Sequence, residues 1–184
     1  MATDPLDSRE IVVGVCGGIA AYKAAELVSR LRQRRAAVTV VMTQAAARFV
    51  TPLTFAVLSG RRAIASLFEQ PERYEAEHVA LAQKAELAIV APATANLLAK
   101  AAAGVADDAL TTMLLSLQCP ILIAPAMNHR MWANRVVQEN VARLRELGFR
   151  IVEPGEGWLA CGESGPGRLA DLETILKAAQ DALA

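Results

Sequence analysis

The sequence predicts a doubly wound α/β fold in which a mostly parallel sheet is flanked by helices. Short apolar runs without alternation, such as residues 11–15 and 87–90, have the pattern of strands buried on both faces. Between them lie stretches with apolar residues at helical spacing, so strands and helices alternate along the chain. The 184 residues, 54% of them hydrophobic, suit a single domain with a sizeable core, residues 1–10 forming a flexible tail.

Taken in order, residues 11–15 form the first strand and 20–35 the first helix, whose basic end suits a helix C-terminus. Residues 38–42 give the second strand and 45–58 a second helix. An irregular connection over 60–74 holds a short strand near 64–67. A short helix follows at 78–84, then a third buried strand at 87–90. Two alanine-rich helices, broken near 104–107, precede a strand at 121–124. Residues 134–147 are helical and stop at Gly148, before a further strand at 149–152. A Gly/Pro loop over 154–167 leads to a final helix at 171–183, capped by Asp171.

Composition narrows the function. Lys+Arg and Asp+Glu each number 19 and aromatics make up 4%, so nothing points to nucleic acid or an anionic membrane. No apolar run approaches the roughly 18 residues that a membrane span needs, and the N-terminus lacks the apolar core of a secretory signal. A reduced, cytoplasmic protein is expected. Cys16, Cys119 and Cys161 show neither zinc-ligand spacing nor a disulfide framework, so no metal is expected. Cys16 and Cys119 border buried strands and read as packing residues.

In open α/β sheets, ligands bind beyond the carboxyl ends of the strands. Gly17, Gly18 and Ile19 form a glycine-rich turn into a helix N-terminus, where backbone N–H groups and the helix dipole favour a phosphate. The turn departs from G-x-G-x-x-G, and the second strand ends in Met42-Thr43-Gln44 with no acidic residue for a ribose. A mononucleotide phosphate therefore fits better than a dinucleotide, and a tight turn that serves only packing is the alternative. Thr94 and Asn96 either cap the next helix or hold a ligand. Asn128, behind Pro125 and beside Met127, can present an amide to a substrate carboxylate or a flavin edge. Cys161 lies among Gly162, Gly165 and Gly167, as an incidental thiol or as a proton donor on a covering loop. His78 starts a helical stretch, and spacing alone does not place it in a site.

Five motifs then occur in one order: Gly17-Gly18-Ile19-Ala20-Ala21, His78, Pro92-Ala93-Thr94-Ala95-Asn96, Pro125-Ala126-Met127-Asn128 with Met131-Trp132, and Leu159-Ala160-Cys161-Gly162 with Gly165 and Gly167. In order and spacing the chain resembles the flavin-containing cysteine decarboxylases. The match is nearest to the branch that acts on 4′-phospho-N-pantothenoylcysteine in coenzyme A biosynthesis. The resemblance implies a Rossmann-like flavoprotein with FMN held by Gly17, Gly18, Ile19, Thr43, Thr94, Ala95, Asn96, Leu97, Ala126 and Met127. It implies that Asn128, Ala160 and Leu169 meet the substrate. His78 matches the family's active-site base, Asn128 the residue that binds the substrate carboxylate, and Cys161 the proton donor on the flap.

The implied chemistry suits those residue types. Oxidation of the cysteine thiol to a thioaldehyde creates a β-thioketo acid, which releases CO₂ readily. Protonation of the enethiolate by Cys161, with return of hydride, then gives 4′-phosphopantetheine without consuming reductant. The sequence departs from the pattern at Cys16, where relatives carry a small hydroxyl residue, and at Gln83, in a region often basic; the partners of a substrate phosphate stay unassigned. A peptidyl-cysteine decarboxylase that releases a C-terminal enethiol is the first alternative, and Cys161 argues against it. A non-catalytic flavin-binding regulatory subunit is the second, and the trio His78, Asn128 and Cys161 argues against that. The resemblance further implies a homotrimer, or a dodecamer of four trimers, acting on a small-molecule or peptidyl cysteine. The chain would be a stand-alone enzyme or one domain of a product fused to a synthetase.

Overall fold

The computed structural model of the protein describes residues 4–66 and 77–184, apart from the side chains of residues 77 and 78. Strands β1 (Glu10–Val15), β2 (Ala37–Met42), β3 (Leu87–Ala93), β4 (Ile121–Pro125) and β5 (Arg150–Ile151) build one sheet in the order β2-β1-β3-β4-β5. Every neighbouring pair is parallel, with β1 Val13 opposite both Val40 of β2 and Ile89 of β3. Parallel neighbours cannot be joined by a tight turn. Helix α1 (Ala21–Gln33) accordingly joins β1 to β2, while α2 (Pro52–Ser59) and α3 (Glu77–Lys84) lie between β2 and β3. Helices α4 (Ala95–Ala103) and α5 (Ala109–Ser116) join β3 to β4. Helices α6 (His129–Trp132) and α7 (Arg135–Glu146) then lead to β5, and α8 (Leu172–Leu183) ends the chain.

Strand residues alternate between two apolar clusters, one on each face of the sheet. Leu87, Ile89 and Ala91 of β3 pack with Leu27 and Leu31 of α1, Phe55 of α2, and Ile175 and Leu176 of α8. Ala88, Val90 and Ala93 face Leu97 and Leu98 of α4, Leu110 and Met113 of α5, and Leu144 of α7. Helices thus cover both sides, so apolar residues are favoured at successive strand positions. The helices begin where side chains satisfy their first N–H groups. Thr94 accepts from Leu97 N at 3.3 Å, Asp108 and Thr111 form a capping box, and Asn134 accepts from Val136 N at 2.9 Å.

Several elements differ from the sequence expectation, each for a physical reason. Residues 4–9 are not a free tail. Leu6 is fully buried in the core, and Asp4 receives Leu6 N at 3.0 Å and the Gln180 amide at 3.1 Å. Glu86 receives Glu10 N at 2.9 Å and the Arg9 guanidinium, which together hold its carboxyl below the ordinary range. The helix expected over 45–58 is a 3₁₀ turn at Ala46–Arg48 followed by α2. Pro52 cannot donate into a preceding turn and drives Thr51 to an extended conformation (φ −72°, ψ 150°), so the helix starts afresh at the proline. The strand expected near 64–67 is a single bridge from Ile64 to Val41, and residue 67 lies outside the described residues. The strand at 149–152 pairs only over Arg150 and Ile151.

The largest difference is in the Gly/Pro segment. The expected loop over 154–167 is a hairpin in which β6 (Gly155–Trp158) pairs antiparallel with β7 (Ser164–Arg168). Its glycines removed the apolar alternation that would have signalled strands. Asp171 occupies the N-cap position of α8 with an extended backbone, but its side chain makes no capping hydrogen bond. Among the described residues no helix is long and apolar enough to cross a membrane.

The packed N-terminus gives a direct test. Leu6→Ala should destabilise the protein by about 2–5 kcal/mol, as expected for a buried leucine. Denaturant unfolding measures it, and a change under about 0.5 kcal/mol, the scale of surface substitutions, would return residues 4–9 to the status of a tail.

Candidate functional site

Strand order reverses between β1 and β3, and a crevice opens beyond their carboxyl ends. The loops after β1, β2, β3 and β4 meet there, and the β6–β7 hairpin folds back over the end of β4. Two cavities result. The larger, of about 750 Å³, is lined by the β1 turn, the end of β4 and the hairpin; the smaller, of about 560 Å³, by the β1, β2 and β3 turns. The larger falls within the size range of ordinary ligand sites.

The expected site residues divide between these cavities. Gly18, Ile19, Ala126, Met127, Asn128, Ala160, Cys161 and Leu169 line the larger cleft. Gly17, Thr43, Thr94, Ala95, Asn96 and Leu97 line the smaller. The backbone of His78 lies in the first turn of α3, and its side chain is outside the described residues. The capping reading of Thr94 holds, because its hydroxyl serves α4, while the residue also lines the smaller cavity.

Two close backbone approaches fix the walls. A Cβ on Gly17 would lie 2.4 Å from Ala45 Cβ and 2.6 Å from its carbonyl carbon, so only glycine lets the β1 and β2 turns touch. Gly167 (φ +130°) accepts from Met127 N through its carbonyl at 2.9 Å, and a Cβ there would meet Met127 O at 2.4 Å. Hairpin and β4 end are therefore joined backbone to backbone.

That docking brings Asn128 and Cys161 together. Asn128 caps α6, with Oδ1 accepting from Arg130 N at 2.7 Å, and its Nδ2 donates to Cys161 Sγ at 3.1 Å. The cap fixes which end of the amide faces the cleft. One Nδ2 proton is engaged with sulfur, and the other is available to a ligand. Beside them Glu163 receives Arg130 Nη2 at 3.1 Å, and His129 Nδ1 approaches Glu163 Oε2 at 3.5 Å. That approach meets ion-pair range without hydrogen-bond geometry, and His129 Nδ1 is buried with no hydrogen-bond partner. His129, Cys161 and Glu163 place one ligand atom each within 4.8 Å of one another, a grouping that a soft divalent cation could share.

The other thiols are set apart. Cys16 is fully buried at the end of β1, and loss of hydration pushes its thiol up to about 12. Cys119 is also raised, by partial burial.

Sequence reasoning missed Tyr22, Lys23, Trp158 and Arg168 in the larger cleft, and Lys100, Asp107 and Asp108 in the smaller. One signal was available for Lys23. It stands in the first turn of α1, where the helix dipole disfavours a cation.

The Flavoprotein family profile matches residues 2–184. This chain belongs to the Flavoprotein family. It is 48% identical over 172 residues to the coenzyme A biosynthesis bifunctional protein CoaBC of Mycolicibacterium smegmatis, covering 94% of this chain and 41% of that protein. The chain thus spans about two-fifths of the length of the curated relatives it matches. Among solved structures, the FMN-dependent cysteine decarboxylase SpaF superposes with a TM-score of 0.85 at 38% identity, over 97% of each chain. A cysteine-to-serine mutant of PPC decarboxylase complexed with pantothenoylaminoethenethiol gives 0.84 at 26% identity, over 94% of this chain and 97% of that one. The parallel sheet and flanking helices are the shared architecture.

The environments of the thiols in this Flavoprotein-family chain predict their reactivity. At pH 8, iodoacetamide should alkylate exposed Cys161 in the native protein and leave Cys16 intact, since a thiol titrating near 12 stays protonated there. Peptide mass mapping reads the result, and labelling of Cys16 at the rate of Cys161 would contradict it.

Proposed function

We propose that this chain is an FMN-dependent cysteine decarboxylase that converts 4′-phospho-N-pantothenoylcysteine to 4′-phosphopantetheine in the cytoplasm. The observation that carries the reading is the contact of Asn128 Nδ2 with Cys161 Sγ at 3.1 Å inside the larger cleft of a Flavoprotein-family chain. The activities of SpaF and PPC decarboxylase support the reaction class, and that of CoaBC supports the pathway.

The residues present fit FMN. Among the described residues, no acceptor takes the N–H groups of Gly17, Gly18, Ile19 or Ala20, so the β1 turn offers a row of free donors at the start of α1. Thr43 accepts from Ala46 N at 3.2 Å, and its own proton remains for a phosphate or ribityl oxygen. Ile19, Ala126 and Met127 give an apolar wall suited to a planar ring. FMN, when bound, supplies the two-electron oxidation of the substrate thiol and its reversal.

The chain's own residues would do the rest. The second Nδ2 proton of Asn128 binds the substrate carboxylate with a neutral donor, which holds the group without the strong ion pair that would oppose its departure. The Asn128–Cys161 contact sets the thiol beside that carboxylate, where it can deliver a proton to the carbon that CO₂ leaves. His78, by its place in the family pattern, takes the base role. The hairpin, with Leu159 and Leu169 as its buried anchors, keeps water from the reacting carbon.

A homo-oligomer, a trimer or four trimers together, completes the proposal. Ile19, Tyr22, Leu53 and Val57 are 61–74% exposed, an apolar surface around the start of α1 and along α2 that a second copy would cover. Light scattering should report a mass of at least three chains, and a monomer that retains FMN would remove this part.

Two substitutions test the chemistry. Asn128→Asp keeps the Oδ1 cap while replacing the donor with a negative charge. It should fold normally yet lower kcat/KM by roughly a hundredfold or more, since a charged hydrogen bond is lost and a repulsion added. Cys161→Ser should release CO₂ and stall at a product two hydrogens lighter than 4′-phosphopantetheine, as mass spectrometry would show. Full turnover by the serine variant would take Cys161 out of the reaction.

A further inference from the structure

Lys23 and Arg168 line the larger cleft together with Asn128 and Cys161, and among the described residues no carboxylate lines it. Among the described residues, neither cationic head group has a hydrogen-bond or ion-pair partner. The smaller cavity is different, because its Lys100 is neutralised by Asp107 at 2.7 Å and Asp108 at 3.6 Å. Uncompensated positive charge is therefore concentrated in the cleft of the reactive pair.

For Lys23 the fold offers a reason against a cation. Half-buried Lys23 occupies the first turn of α1, a place that favours carboxylates and disfavours ammonium groups. Arg168 follows the docked Gly167 on β7, and its guanidinium reaches across the hairpin to the backbone of Gly157, 3.4 Å from where a Cβ on that residue would stand. A dianion entering the cleft would reverse the unfavourable dipole term at Lys23 and meet a guanidinium fork at Arg168.

We propose that Lys23 and Arg168 form the subsite for a phosphomonoester dianion, the terminal phosphate of the substrate. The proposal rests on the decarboxylase reading and deepens it by naming what selects a phosphorylated small molecule over a peptide. It also gives the phosphate a task remote from the reacting carbon. Lys23 belongs to the body of the fold and Arg168 to the hairpin, so an anion between them ties down the segment that carries Cys161. Binding energy from the far end of the substrate then acts on the position of the thiol.

The test compares 4′-phospho-N-pantothenoylcysteine with its unphosphorylated counterpart, using flavin-loaded wild type, K23Q, R168Q and K23R. CO₂ release and FMN absorbance are measured for each. The ratio of kcat/KM for the two substrates should favour the phosphorylated one in wild type. It should fall roughly ten- to a hundredfold in K23Q and R168Q, the scale of one charge-assisted hydrogen bond, and less in K23R. FMN content should stay at the wild-type level throughout. An unchanged ratio in both glutamine variants would overturn the subsite. Loss of FMN from K23Q would overturn it too, by assigning the lysine to the cofactor's phosphate. Failure of the decarboxylase reading would look different: wild type would release CO₂ from neither substrate, and both proposals would fall.

Discussion

Burial of a parallel sheet on both faces is the constraint from which the rest follows. A strand covered by helices on each side has no room for polar side chains, so the chemistry of this protein is displaced to the ends of its strands. Parallel pairing adds a second demand, because each neighbour must be reached by a crossover. Between them these requirements send the turns after β1, β2, β3 and β4 to one edge, where the reversal of order between β1 and β3 separates two diverging loops. The crevice is a consequence of how the sheet is covered, before any residue in it is chosen.

What the residues then decide is how that edge is closed. The hairpin is held at its base by the Gly167–Met127 backbone contact and by buried Leu169, and at the start of its turn by buried Leu159, while most of its remaining residues face solvent. A segment fastened in this way keeps its place against the end of β4 and has little packing beyond Leu159 to resist movement of the turn. Asn128 stands at the junction. Its oxygen belongs to the local fold, as the cap of α6, and its nitrogen belongs to the cleft.

Much of this was legible in the chain. Unbroken apolar runs marked β1 to β4, helical spacing marked α1 and α7, and the Gly17-Gly18-Ile19 and Met127-Asn128 segments fell at strand ends as the fold class requires. The misreadings have two causes. Pro52 restarts a helix and the glycines of 155–168 conceal a hairpin because each interrupts the local pattern, whereas Leu6 anchors the N-terminus through contacts with residues distant in sequence. The cleft's charge was hidden for the second reason. Lys23 and Arg168 lie 145 positions apart and meet one cavity only after the hairpin docks. The pairing of Asn128 with Cys161, across 33 positions, is a product of that docking as well.

The contact between Gly17 and Ala45 has an evolutionary consequence. With no space for a Cβ on one side and only a methyl group on the other, the turns after β1 and β2 cannot drift independently. Any lineage that enlarged either residue would have to rebuild both loops at once, together with the cavities they wall. Diversification under this fold is thereby steered away from the β1–β2 edge and toward the hairpin, whose exposed positions can vary without disturbing another loop.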